Sequence, residues 1–175
     1  MTSTAQYAPL LTVAREAIAS ALQGHSYEPP NLLGPEDEAR GVFVTLRKPN
    51  GELRGCIGHI RPKYNTLAKE VAEVAVLSAI ADHRFKRLSI EEFLDTDIEL
   101  SILEPPEPVS DKTQLDPKIF GVVVQTPRRQ GVLLPDIAGI NTVEQQLEIA
   151  RHKAGITPKE EITMQRFRVS KLCES

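Results

Sequence analysis

The chain has 175 residues, 41% hydrophobic and 26% charged, and its 21 lysines and arginines against 24 acids give a formal net charge of −3. A chain of this length buries about 70% of its unfolded surface, so it can build a core without disulfides or metal. Mild acidity argues against a dedicated nucleic-acid surface, and two cysteines in unrelated contexts argue against a disulfide framework. No basic stretch followed by an apolar run opens the sequence, and no apolar run approaches spanning length. The expectation is one soluble, cytoplasmic domain over residues 1–175 with no membrane association.

Leu11, Ala14, Ile18, Ala21 and Leu22 recur at helical spacing and predict a first helix from about residue 5 to Gln23, stopped at Gly24. The stretch from Gly24 to Glu38 is rich in proline, glycine and acid and reads as a long loop. Residues 41–60 read as a hairpin turning at Pro49-Asn50-Gly51, with Leu53-Arg54-Gly55-Cys56-Ile57-Gly58-His59 as its return strand. Glycine weakens a strand, so Gly55 and Gly58 around one thiol need a reason: a bulge, or close approach of a ligand or another backbone.

Strand parity places Arg54, Cys56 and Gly58 on one face and Leu53, Gly55, Ile57 and His59 on the other, which Leu53 and Ile57 mark as core. A guanidinium at Arg54 beside Cys56 would favour thiolate, the reactive form. By the same parity His59 points away from Cys56 and serves it as a base only if a bulge at Gly58 re-aims the ring. Free cysteine is also among the most buried residue types, so a packed, inert thiol is the alternative. Both readings stay open from the residues alone.

Pro62 and an Asn65-Thr66 cap introduce a helix from about Thr66 to Ala81. From Ala72 it is apolar on nearly every face, interrupted by Glu73 and Ser78, and so is expected to be central and buried. Asp82-His83-Arg84 crowds three ionisable groups at its end, where the helix dipole favours cations. Ser89 and Glu92 fit a capping box on a short helix, and Asp97–Leu103 reads as a strand with Ile98, Leu100 and Ile102 on one face. Glu99 and Ser101 take the opposite face, with solvent the favoured setting for Ser101. Pro105, Pro106 and Pro108 are expected to end that strand.

Ile119–Gln125 and Gly131–Leu134 predict two further strands, Thr142 with Gln145 caps a helix ending near Gly155, and Met164–Leu172 alternates as a last strand. Arg128-Arg129, near Lys112 and Lys118, reads as a solvated basic turn. Lys153, before Gly155, reads as a surface charge favoured by the dipole. No phosphate loop, paired metal-ligand spacing or iron–sulfur cluster occurs, so no metal or cofactor is expected. Strand order and short turns predict a mostly antiparallel α+β fold with packed helices rather than a doubly wound parallel sheet.

The run Leu53-Arg54-Gly55-Cys56-Ile57-Gly58 resembles the hallmark of the AMMECR domain family. The resemblance continues through Arg40-Gly41-Val42-Phe43-Val44-Thr45-Leu46, Asp82-His83-Arg84-Phe85, Ile98–Leu103, Gly131–Pro135, Lys153-Ala154-Gly155-Ile156 and Arg166-Phe167-Arg168-Val169. It implies a larger and a smaller lobe with a cleft between them. It also implies likeness to protein A of the AmmeMemoRadiSam system, whose partners are a Memo-type protein and a radical-SAM protein. Within it, Cys56 with His83 and Arg54 is the expected catalytic group, His83 being the preferred base, proton donor or co-ligand. Gly55, Gly58, His59, Arg84 and Glu99 are the expected binding residues. Two functions are compatible with this: a component of that modification system, its substrate a small molecule or an RNA, or a stand-alone cysteine-dependent enzyme acting on a small acidic substrate.

Overall fold

The computed structural model describes residues 4–32, 34 and 37–174. Among these the chain forms two four-stranded antiparallel sheets and four α-helices, the α+β class expected from the strand pattern. It divides into two compact units: one takes the chain up to Ile102 and resumes at Ser170, the other runs Leu103–Val169.

The first unit holds α1 (Pro9–Leu22), β1 (Val42–Arg47), β2 (Leu53–His59), α2 (Leu67–Ile80), α3 (Ile90–Leu94), β3 (Asp97–Leu103) and β8 (Val169–Cys173), the sheet ordered β2-β1-β3-β8. Pro9 opens α1 where no intrahelical N–H is needed. The stripe Leu10, Val13, Ala14, Ala17 and Ile18 is buried. The β1–β2 hairpin turns at Gly51, whose φ of 83° is the left-handed region glycine enters freely. Thr66 caps α2 by accepting from the Lys69 N–H at 3.3 Å, and Asp37 accepts from the Ala68 N–H at 3.0 Å. Both occupy orphan donors of the first turn. Helix α2 then buries Leu67, Val71, Val74, Ala75 and Ala79 against Val42, Val44, Leu46, Leu100 and α1. Each of the buried leucine and valine side chains contributes about 1.5–3 kcal/mol of transfer free energy. The short α3 carries the Ser89–Glu92 capping box read from its spacing.

The second unit holds β4 (Glu107–Val109), β5 (Gly121–Gln125), β6 (Gln130–Leu133), α4 (Val143–Lys153) and β7 (Thr163–Phe167), with strands ordered β4-β7-β5-β6. Leu147 and Ala150 of α4 meet Val122, Val124 and Leu133 in its core. A Cβ on Gly131 would overlap the Ala150 carbonyl, so glycine lets α4 lie directly on β6. Gly155, with φ 65°, follows the helix end, where Lys153 donates to the Val132 carbonyl at 3.1 Å.

As expected, β3 ends at Leu103 before the prolines, and Pro108 itself sits in β4, an edge strand, where a missing N–H is tolerated. Residues 164–172 are not one strand but two, β7 and β8, in different sheets. The break falls at Arg168, whose carbonyl accepts from the Glu104 N–H at 2.9 Å.

Candidate functional site

The site begins with the β1–β2 register. Thr45 stands opposite Cys56 on β2 and opposite Glu99 on β3; Phe43 stands opposite Gly58 and Ser101. Cys56 and Gly58 therefore share a face with Thr45, Phe43, Glu99 and Ser101, away from α2, but a register shift leaves Arg54, expected beside them, without a strand partner and sets Leu53, expected on the core face, opposite Arg47 on this one. No bulge occurs at Gly58; the single irregularity of this pair lies between Leu46 and Arg47. Both glycines have packing reasons. A Cβ at Gly55 would overlap the Ser78 carbonyl of α2, and a Cβ at Gly58 would overlap the Phe43 ring.

Cys56 is half-buried, and its Sγ lies 3.3 Å from the Thr45 hydroxyl. Its main chain is held on the open edge of β2. The Cys56 N–H donates to Asp82 Oδ2 at 2.9 Å, and Arg84 Nη2 donates to the Cys56 carbonyl at 3.3 Å. Asp82 in turn accepts from the Arg84 N–H at 3.1 Å, Nε at 3.0 Å and Nη2 at 2.7 Å. The pair thus meets Cys56 as a residue of a neighbouring strand would, with one acceptor and one donor. Arg84's hydrogen bonds hold the Asp82 carboxyl far below the usual range, against the opposing effect of burial, and the Cys56 N–H adds to the lowering. Arg84's own pKa is raised, first by its hydrogen bond to Asp82, against the opposing effect of burial.

Next along the strand, the Ile57 N–H donates to Ser78 Oγ at 3.0 Å, and that hydroxyl reaches the carbonyls of Val44 and Val74, each at 2.9 Å. A polar residue in an apolar helix therefore stitches α2 to the hairpin. The other expected partners are placed as follows. Arg54, expected beside the thiol, is buried and clasped by Glu92, with Nε and Nη2 at 3.1 and 3.0 Å from its oxygens, and Nη2 also donates to the Lys86 carbonyl at 3.0 Å. Its hydrogen bonds lower the Glu92 pKa. His59 faces α2, its Nδ1 2.5 Å from Oε1 of the fully buried Glu70, whose other oxygen accepts from the Lys63 and Tyr64 N–H groups. His83 is exposed, and among the described residues it makes no hydrogen bond with Cys56.

Glu99 lies on the shared face, 3.8 Å from both Arg47 and Lys171. Cys173 Sγ is 3.9 Å from it, and burial first, then the Glu99 charge, pushes that thiol's pKa up. Ser101, expected toward solvent, is fully buried, and its hydroxyl has no hydrogen-bond partner among the described residues. Arg129 is committed to Glu160 and the Gly155 carbonyl, so half of the basic turn is internal bracing. Among the described residues, no three His, Cys, Asp or Glu side chains gather as metal ligands, and no helix is long and apolar enough to cross a membrane.

Sequence reasoning passed over Asp82, Thr45 and Ser78 as contributors. The spacing of Asp82 and Arg84 just past a helix end, and a serine in an otherwise apolar helix, are the traces they leave. Fold and site define an α+β protein with a thiol fixed on the edge strand of an antiparallel sheet.

The AMMECR1 family model matches residues 11–172, and the chain belongs to that family. A Thermotoga maritima protein is 47% identical over 132 residues, covering 75% of this chain and 76% of the relative. A Clostridium acetobutylicum protein is 40% identical over 171 residues, covering 95% of this chain, which itself spans only 36% of that relative. The crystal structure of an uncharacterised Pyrococcus horikoshii protein superposes with a TM-score of 0.88 at 31% identity, covering 97% of this chain and 92% of that one.

Proposed function

We propose that the chain is a component of an AmmeMemoRadiSam-type modification system. It acts with a Memo-type and a radical-SAM protein, and the Cys56 edge of β2 is its working site. The observation that carries this reading is the main-chain clasp on Cys56. Asp82 and Arg84 fix the residue on both sides, while Thr45 is the thiol's hydrogen-bonding side chain among the described residues. Such a thiol is positioned rather than equipped: a group that presents or receives, with acid–base and radical steps supplied by partners. The Clostridium relative, most of which lies outside the match, adds support, since there the same domain is joined to a longer polypeptide.

Titration calorimetry with the Memo-type and radical-SAM proteins of the same genome tests it. Binding to at least one at micromolar concentration is expected. A folded Cys56→Ser variant should keep that binding and abolish turnover of the assembled system. Failure to bind either partner overturns the reading. The second reading, a stand-alone cysteine-dependent enzyme on a small acidic substrate, is favoured by one observation, the half-exposed Arg84 guanidinium next to Cys56. It requires turnover by the isolated chain.

A further inference from the structure

Two guanidinium groups flank the Phe85 ring beside β2, Arg54 at 5.8 Å and Arg84 at 5.5 Å from its centroid. Their settings differ sharply. The Arg54 side chain is 8% exposed and closed off by Glu92 and the Lys86 carbonyl. The Arg84 side chain is 47% exposed. Its Nε and Nη2 are engaged by Asp82 and Cys56, while Nη1 has no partner among the described residues. The guanidinium is thus oriented before any ligand arrives, which lowers the ordering cost of binding one. The turn that bears it, Asp82 to Arg87, sets one acid against Arg84, Lys86 and Arg87. That acid is buried against Cys56, while all three cations are exposed.

We infer that Arg84 is the anion-recognising residue of the Cys56 site, so its ligand carries a carboxylate or phosphate next to the atom that the thiol approaches. Arg54 is a buried brace between β2 and α3, and Asp82 is a positioning residue that aims Arg84. This rests on Cys56 being the working site.

The test compares alkylation of Cys56 by two electrophiles of nearly equal size, anionic iodoacetate and neutral iodoacetamide. In each, a sulfur–carbon bond forms, iodide leaves with the carbon–iodine electron pair, and the thiol proton passes to solvent. The reference is the iodoacetate-to-iodoacetamide rate ratio of Cys56 in the urea-unfolded chain. In the folded protein that ratio should rise about fivefold, the scale of one partly screened charge. It should fall back in 1 M salt and with added inorganic phosphate. Arg84→Gln should remove the rise and Arg84→Lys keep most of it; if either fails to fold, the salt and phosphate series on the native chain decide.

A folded ratio equal to the unfolded one, with both reagents still reacting, overturns the Arg84 assignment and leaves the Cys56 reading standing. Labelling by neither reagent until the chain unfolds overturns both.

Discussion

Asp82 commits both carboxylate oxygens to the edge of β2, and its ionisation follows from that geometry. Its pKa is held low in the folded state, so the stability it contributes is complete above the unfolded value of about 3.9 and is lost as the pH falls from there through the folded value. Melting temperatures of the native chain and Asp82→Asn should therefore differ most at neutral pH and converge below about pH 4. Gly55 makes a second residue-scale prediction. Its missing Cβ lets the Ser78 carbonyl approach, so Gly55→Ala should destabilise by about 1–3 kcal/mol in urea unfolding, as overpacking against backbone does. A substitution that costs nothing would show that α2 can move away. The parity of the heptad was legible from Gly55 to His59, where Ile57 packs on the core, but not at Leu53 and Arg54, where a register shift reverses it. Which guanidinium meets Cys56 was not, because Arg84 reaches β2 through the turn after α2, a contact 28 residues distant in sequence.

One hydroxyl, that of Ser78 in α2, bridges to both strands of the β1–β2 hairpin. Ser78→Ala removes a hydroxyl that accepts from the Ile57 N–H and donates to the Val44 and Val74 carbonyls, and should cost about 0.5–1.5 kcal/mol, the range for a hydrogen bond lost. The expected signature is faster amide exchange at Ile57, with α1 unchanged. At this scale the sequence was most readable where local chemistry decides: the caps at Thr66, Ser89 and Thr142 all form, each accepting from the backbone N–H three residues on. It was least readable where partners are remote. Pro108 looks like a strand breaker until β7 supplies an edge position for it, and nothing local marks Arg168 as the point where the chain changes sheets.

For the molecule as a whole, the order of the chain matters. The first sheet begins with β1 and β2 and receives β8 only after the entire 103–169 unit has been made. Glu174, just past β8, fastens that return: its carboxylate pairs with Arg15 of α1 and accepts from the Ile98 N–H at 3.0 Å, while its own N–H donates to the Ile98 carbonyl at 3.0 Å. Glu174→Ala should thus lower the melting temperature by several degrees, as the loss of about 1–3 kcal/mol does in a domain of this size. An unchanged value would mean that β8 is held by its strand pairing alone. Neither the discontinuous first unit nor its C-terminal fastening could be read from periodicity, which registers elements but not the sheet each one joins.

The clasp on Cys56 has one further consequence, for how copies of this protein behave in a crowded solution. An open strand edge is a template on which another chain can polymerise, and here the unpaired groups of Cys56 are already matched by a carboxylate and a guanidinium. Removing both partners, as in Asp82→Ala with Arg84→Ala, should uncover that template. Light scattering of the double variant should therefore grow with protein concentration more steeply than that of the native chain.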